Sequence, residues 1–260
     1  MAWALTDTPS YAQRMADPES HVVDTLADLV DTLVTDFDIT ELFYRLVDTC
    51  VDLVLADEAG LLLMDRTGAL GIGAATSAST HVVELLQLQV REGPCFDAFR
   101  SGEPVRTGPL DADDARETWP EFAPMAVSAG FHSVVAVPMR WRETTLGSLN
   151  LFRTHSGAAS DQDVTAATAL ADLTTIAMVQ AQAVDGAHEV IDQLQMALDT
   201  RVSIEQAKGI VAERSNLDVQ LAFERIRSYA RSSNASLSEV SRRIISGELD
   251  VAALTNSDDG

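Results

Sequence analysis

Residues 160–201 hold the feature that most constrains this fold, an apolar residue that recurs at alternating spacings of three and four. Ten successive positions of the repeat carry eight apolar residues. Such a repeat is typical of a coiled-coil seam, and it also fits a helix packed along its own domain. The candidate dimer seam is Leu170, Leu173, Ala177, Val184, Ile191, Leu194 and Leu198. We expect a long coiled-coil helix at 160–200 that overlaps a domain on either side.

The sequence before this helix predicts an α+β domain at 19–183. Residues 1–18 mix Thr, Asp, Pro and Ser without a period, which predicts a flexible leader. Two helical patterns follow, and then short apolar and β-branched segments that alternate with turns and short helices. This order favours an antiparallel sheet with helices packed mostly on one side.

Residues 189–250 predict an all-α bundle of three helices, followed by a flexible tail at 251–260. The first helix continues from the apolar repeat and ends before Ser215-Asn216. Asp218 is a good N-cap for the second helix, and Ser236 opens a capping box for the third. Gly247 suits the position that follows the last helix.

The distribution of charge also distinguishes the C-terminal bundle from the rest of the chain. The whole chain has a formal net charge of −22, whereas residues 189–249 carry eight basic and nine acidic residues, a net charge of −1. An acidic surface repels nucleic acid and anionic membranes, so a sequence-blind nucleic-acid binder is not expected. The basic residues concentrated in the bundle suit recognition of a short folded RNA element.

The sequence lacks the motifs of common enzymes and metal sites. It has no P-loop, no Gly-x-Ser-x-Gly and no His-Glu-x-x-His, and its five histidines are widely spaced. We therefore expect a protein that is not an enzyme, with no cofactor and no metal. Cys95 has two interpretations, a thiol that responds to a ligand or to redox chemistry, or a small buried residue that stabilises a turn.

No targeting or membrane segment is evident either. The longest apolar runs, such as Leu61–Met64, are far shorter than the roughly 18 residues that indicate a membrane span. The N-terminus lacks the basic and apolar regions of a signal peptide. These features predict a cytoplasmic protein that makes no membrane contact.

The bundle resembles a known family. Its Arg201–Val211, Ala222–Arg227 and Ser236–Ile245 segments, with the Gln-Ala-Lys-Gly core at 206–209, resemble the ANTAR domain. That family is a three-helix RNA-binding module of bacterial transcription antiterminators.

The α+β domain is similar to a GAF sensor domain. The likeness rests on Glu92-Gly93-Pro94-Cys95, Gly102-Glu103-Pro104-Val105 and the strand pair within Ser133–Phe152. The two domains together resemble the GAF–ANTAR regulators of actinobacteria. This resemblance implies a homodimeric antitermination regulator that binds stem-loops in nascent transcripts and receives a small-molecule or protein signal at its GAF domain.

Basic and flexible residues within these helices are the candidate RNA contacts. Arg201 and Lys208 are seven residues apart and share a helix face, and Arg227 and Arg231 are four apart. Gly209 permits close backbone approach beside Lys208, the chain's single lysine. The candidate set is Arg201, Gln206, Lys208, Gly209, Arg214, Arg227 and Arg231.

A DNA-binding helix-turn-helix regulator with a ligand-sensing GAF domain is the alternative. Three short helices that carry several arginines allow it. A recognition helix has basic and polar residues clustered at its N-terminus, whereas the third helix here begins Ser-Leu-Ser-Glu. That start argues against the alternative.

Overall fold

The computed structural model describes residues 39–53, 56–180, 188–233 and 235–254. The leader expected at 1–18 lies outside the described residues, as do the first predicted helix and the seam residue Val184. The helices are α1 (Ile39–Asp52), α2 (Ala78–Val90), α3 (Pro94–Ser101), α4 (Asp113–Thr118), α5 (Phe122–Ser128), α6 (Asp161–Gln180), α7 (His188–Ser215), α8 (Val219–Ser232) and α9 (Leu237–Ser246). The strands are β1 (Glu58–Met64), β2 (Leu70–Ala75), β3 (Val105–Arg106), β4 (Ser133–Trp141) and β5 (Thr144–Arg153).

The strands form an antiparallel sheet in the order β2-β1-β5-β4-β3. β4 and β5 make a hairpin in which Trp141 pairs with Thr144, and Arg142 adopts a φ of 55° in the turn. The outer strand β2 pairs with β1, and β1 pairs with β5. The predicted antiparallel α+β fold and its hairpin are confirmed.

Helices cover both faces of this sheet, which corrects the expectation that they pack mostly on one side. Leu61, Leu63 and Leu149 join the core that includes α1 and α6. Leu62, one residue out of phase, instead packs with Cys95 at the start of α3 on the opposite face. Strands buried on both faces carry continuous apolar runs rather than an alternating pattern, and β1 is buried throughout its middle.

The apolar repeat lies on two helices that pack against their own chain. Leu170 is buried in the core beside the sheet, and Leu173 and Leu198 are partly buried against that core. For Leu170 the structure corrects the coiled-coil interpretation in favour of a helix packed on its own domain, because the core of the same chain already covers it. The seam role of Leu173 and Leu198, which are partly exposed, stays a prediction. The side chains of Ala177, Ile191 and Leu194 lie outside the described part of the structure. No helix in the described part of the chain is long and apolar enough to cross a membrane.

The three-helix bundle forms as predicted, from α7, α8 and α9. Asp218 caps α8 by accepting a hydrogen bond from the backbone N of Gln220 at 2.8 Å, and Ser236 caps α9 through the backbone N of Glu239 at 3.1 Å. The tail expected from residue 251 is wrong over its first four residues. Val251–Leu254 form a 3-10 helix, because Val251 and Leu254 share a side and are buried against the bundle.

Candidate nucleic-acid interface

Arg227 on α8 lies at the contact between the bundle and the α+β domain. Its Nη1 donates to Asp48 Oδ2 at 2.7 Å, and its Nη2 lies 3.5 Å from Glu41 Oε1. Burial disfavours its charge, but the carboxylates of Asp48 and Glu41 outweigh that effect and raise the pKa of Arg227. The guanidinium is therefore cationic, and only 14% of the side chain is exposed.

Phe223, one turn before Arg227, is the aromatic centre of this contact. Lys208 Nζ lies 4.9 Å from its ring centroid and Arg227 Cζ lies 5.5 Å from it. The ring of Tyr44 on α1 packs against Phe223 with centroids 4.9 Å apart. Cations over an aromatic face are attracted by the ring's quadrupole. The bundle thus carries a cation–aromatic cluster, formed by Lys208, Phe223 and Arg227, on the side that faces α1.

Lys208 is also paired within its own helix. Its Nζ lies 3.0 Å from Glu205 Oε1, and its side chain is only 13% exposed. Lys208 is therefore held between Glu205 and Phe223 and does not extend into open solvent.

Arg201 reaches into the α+β domain. Its Nη1 donates to the carbonyl oxygen of Ile72 on β2 at 3.1 Å, and its Nη2 contacts His81 Nδ1 on α2. Burial, followed by the charge of Arg201, lowers the pKa of His81 and favours the neutral imidazole, which can accept from Arg201. In this arrangement Arg201 joins the two domains and is not accessible to RNA.

The other candidate residues are exposed. Gln206, Gly209 and Arg214 lie on the solvent side of α7, and Arg231 lies one turn beyond Arg227 on α8. A Cβ at Gly209 would meet nothing within 4 Å, so packing within the chain does not require glycine there. The seven candidates thus divide into three that are engaged by neighbouring side chains or backbone and four that face solvent.

Sequence reasoning missed Glu41, Tyr44 and Asp48, the residues of α1 that complete the contact. Asp48 and Arg227 are 179 positions apart, so no local spacing links them. The only available signal was the spacing of these three residues by three and four, which places them on one side of a helix.

A polar cluster inside the α+β domain was also missed. Glu84 on α2 is fully buried, and its carboxyl accepts hydrogen bonds from Asn150 Nδ2 at 2.7 Å and Gln87 Nε2 at 2.9 Å. Burial raises the pKa of Glu84 to about 8, although the hydrogen bond from Asn150 opposes the rise. At neutral pH this carboxyl is mostly protonated.

Cys95 lies at the edge of that cluster and is fully buried. Its backbone N donates to Gln87 Oε1 at 3.4 Å. Burial, together with the nearby Glu84, raises the pKa of the Cys95 thiol. A protonated, inaccessible thiol favours a packing role over redox reactivity. Among the described residues, no group of three or more His, Cys, Asp or Glu side chains is placed to hold a metal.

Each of the two domains matches the model of a known family. The GAF domain model matches residues 38–179, and the ANTAR domain model matches residues 192–245. The GAF match covers more than half of the chain. The chain therefore belongs to the GAF domain family, and it combines this domain with a C-terminal ANTAR domain that contains the cation–aromatic cluster. The predicted combination of a GAF domain and an ANTAR domain is confirmed.

A solved GAF domain shares the fold of the α+β part. The chain is similar to the GAF domain of a phosphoenolpyruvate-protein phosphotransferase from Coxiella burnetii, at 16% identity and a TM-score of 0.50 over 64% of this chain and 98% of that one. It is also similar to the GAF domain of the Acinetobacter phosphoenolpyruvate-protein phosphotransferase, at 18% identity and a TM-score of 0.49 over 63% and 96%. At such identities the first likeness shows the fold alone. A search of curated proteins finds no match.

Proposed function

We propose that this protein is a signal-responsive regulator whose ANTAR domain binds stem-loop RNA in nascent transcripts and promotes antitermination. The pairing of a GAF domain with an ANTAR domain supports a signal-sensing regulator. One observation carries the RNA proposal: the ANTAR match covers Lys208, Phe223 and Arg227, which form a single cation–aromatic cluster.

The chemistry of this cluster fits RNA. Lys and Arg neutralise phosphates, and unpaired bases in a loop stack on aromatic rings and guanidinium planes. Gln206, Gly209 and Arg214 would extend the contact along the solvent side of α7. A hairpin loop presents phosphates and unstacked bases together. The two cations and the ring can contact them once α1, whose Tyr44 packs on Phe223, has moved away.

The proposal also covers the signal that the protein receives, its oligomeric state and its location in the cell. The GAF domain receives a small-molecule or protein signal, and the protein acts by binding rather than by catalysis. It works in the cytoplasm, where nascent transcripts are found. The family resemblance favours a homodimer, whose contact must use surfaces other than Leu170, because this side chain is buried within its own chain.

Selection from a hairpin library tests the proposal without knowledge of the target. Full-length protein is mixed with labelled RNA hairpins that share one stem and carry randomised loops, and with DNA of the same sequences. We expect enrichment of particular RNA loops, with affinity that falls as salt rises. A preference for DNA would instead support the helix-turn-helix alternative, and absence of binding to both would contradict the proposal.

Lys208→Ala should weaken binding of the enriched RNA about tenfold or more, since hydrogen bonds to charged groups contribute about 1.5–3 kcal/mol. Arg116→Ala is the matched control, because Arg116 is an exposed cation on α4, outside the ANTAR domain. Fluorescence anisotropy at low and moderate salt measures both variants. Equal affinities for Lys208→Ala and the parent would place the RNA contact elsewhere.

A further inference from the structure

We propose that α1 of the GAF domain is an autoinhibitory cover for the ANTAR domain, with the carboxylates of Glu41 and Asp48 held by Arg227 where RNA phosphates would bind. This inference rests on the proposed RNA-binding function and adds its regulation.

The cover is built on one side of α1. Glu41, Tyr44 and Asp48 are spaced by three and four, so they share a helix face. Glu41 and Asp48 contact the guanidinium of Arg227, while Tyr44 between them packs on the Phe223 ring. One helix face therefore contacts both the charged and the aromatic parts of the cluster.

The two carboxylates present the same chemistry as an RNA backbone. Each offers anionic oxygens to an arginine, and Arg–carboxylate and Arg–phosphate pairs use the same donor geometry. With 86% of its side chain covered, Arg227 cannot contact a phosphate until Asp48 and Glu41 move away. RNA and α1 therefore compete for one guanidinium.

A second contact holds the bundle closed at the outer strand of the sheet. Arg201 donates to the Ile72 carbonyl on β2 and contacts His81, and the side chain of Leu198 packs over Gly71. The bundle is thus attached to α1, α2 and β2 of the sensor domain. We call the protein open when the bundle has separated from the sensor domain. A signal that moves any of these elements changes the open fraction, and RNA affinity scales with that fraction.

Removal of the two charges tests the cover. The full-length double variant Glu41→Gln/Asp48→Asn should bind the hairpin RNA pool more tightly than the parent, within the roughly 5–150-fold range of typical coupling between sites. Asp111→Asn/Glu117→Gln is the matched control, because it removes two carboxylates from exposed positions around α4. The control should bind as the parent does.

Salt gives a second readout, and the control with the same change in charge shows how much of it is a general electrostatic effect. Salt weakens the Arg227 pairs and so favours opening, while it also weakens RNA binding. These effects oppose each other in the parent, so the slope of log affinity against log salt should be steeper in Glu41→Gln/Asp48→Asn. Circular dichroism checks that the variant is folded.

The outcomes separate this inference from the function on which it rests. RNA binding of equal strength and salt slope in the parent, the double variant and the control would overturn the cover and leave the RNA-binding function standing. If none of the three binds RNA or if all prefer DNA, the proposed function fails and the cover fails with it. Tighter binding by the double variant alone supports both.

Discussion

The two sides of α1 differ in chemistry, although they lie on a single helix. One side buries Leu42, Phe43 and Leu46 completely against the sheet. The other side presents Glu41 and Asp48 to Arg227, and 39% of the Asp48 side chain remains exposed. Burial of one large apolar side chain contributes about 1.5–3 kcal/mol, whereas an ion pair with a largely buried guanidinium contributes less, because the cost of desolvation offsets the attraction.

This difference determines which contact can open. When the bundle separates from the sensor domain, α1 stays on the sheet, because its apolar side is the more strongly held. On the other side, water and counterions solvate the separated charges, and Tyr44 loses its contact with Phe223. The same comparison explains how a helix can belong to a sensor core and still regulate a neighbouring domain.

The largest effect is expected from a substitution on the apolar side of α1. Phe43→Ala removes a fully buried ring and should lower the free energy of unfolding by about 3–5 kcal/mol. Asp48→Asn, on the opposite side of the same helix, should lower it by less, because Glu41 remains beside Arg227 and the Asp48 side chain is partly solvated. Urea denaturation followed by circular dichroism compares the two variants. Equal losses would show that the two sides of α1 are held alike and would contradict the comparison.

A smaller effect is expected from Glu84, a carboxyl whose hydrogen-bond partners Asn150 and Gln87 are both neutral. Glu84 has a folded-state pKa of about 8, raised from 4.5 by burial. The folded state therefore binds the proton more tightly than the unfolded state, so stability falls as pH rises from the usual carboxyl range through about 8. The melting temperature measured across this range should therefore fall, by an amount that corresponds to a few kcal/mol in the free energy of unfolding.

Glu84→Gln is the variant that identifies the group responsible. Its amide cannot ionise, so most of the fall in melting temperature above neutral pH should disappear. Asp48→Asn should keep the fall, because Asp48 is ion-paired and partly exposed. A fall of equal size in Glu84→Gln would assign the pH dependence to another residue.

Much of the fold could be predicted from the sequence, because it depends on patterns of residues that are close together in the chain. The caps at Asp218 and Ser236, the hairpin between β4 and β5 and the three-helix bundle each depend on residues close together in the chain. The apolar repeat was ambiguous for a physical reason: spacings of three and four serve a coiled-coil partner and a sheet equally well. Only tertiary structure shows that the sheet covers Leu170.

The candidate site was predicted in part. Lys208 and Arg227 were identified from charge and helix spacing, and they lie around one ring. The carboxylates that hold Arg227, and the carbonyl that holds Arg201, lie more than a hundred positions away in the chain. Neither periodicity nor motif spacing reports contacts of that separation.

The most direct test of the account measures opening and RNA binding together. Spin labels are placed at Glu117→Cys on α4 and Ser228→Cys on α8, both exposed positions. Cys50 and Cys95 are fully buried, and burial raises the pKa of both thiols, so they should not react with the label. Labelled protein is diluted with unlabelled protein so that only distances within one chain are read.

The distance between the labels is measured by double electron–electron resonance before and after addition of the hairpin RNA, with anisotropy run in parallel. We expect a single distance in the free protein and a shift away from it when RNA binds. We also expect the shifted distance in Glu41→Gln/Asp48→Asn without RNA. An unchanged distance in protein that anisotropy shows to be fully RNA-bound would contradict autoinhibition by α1.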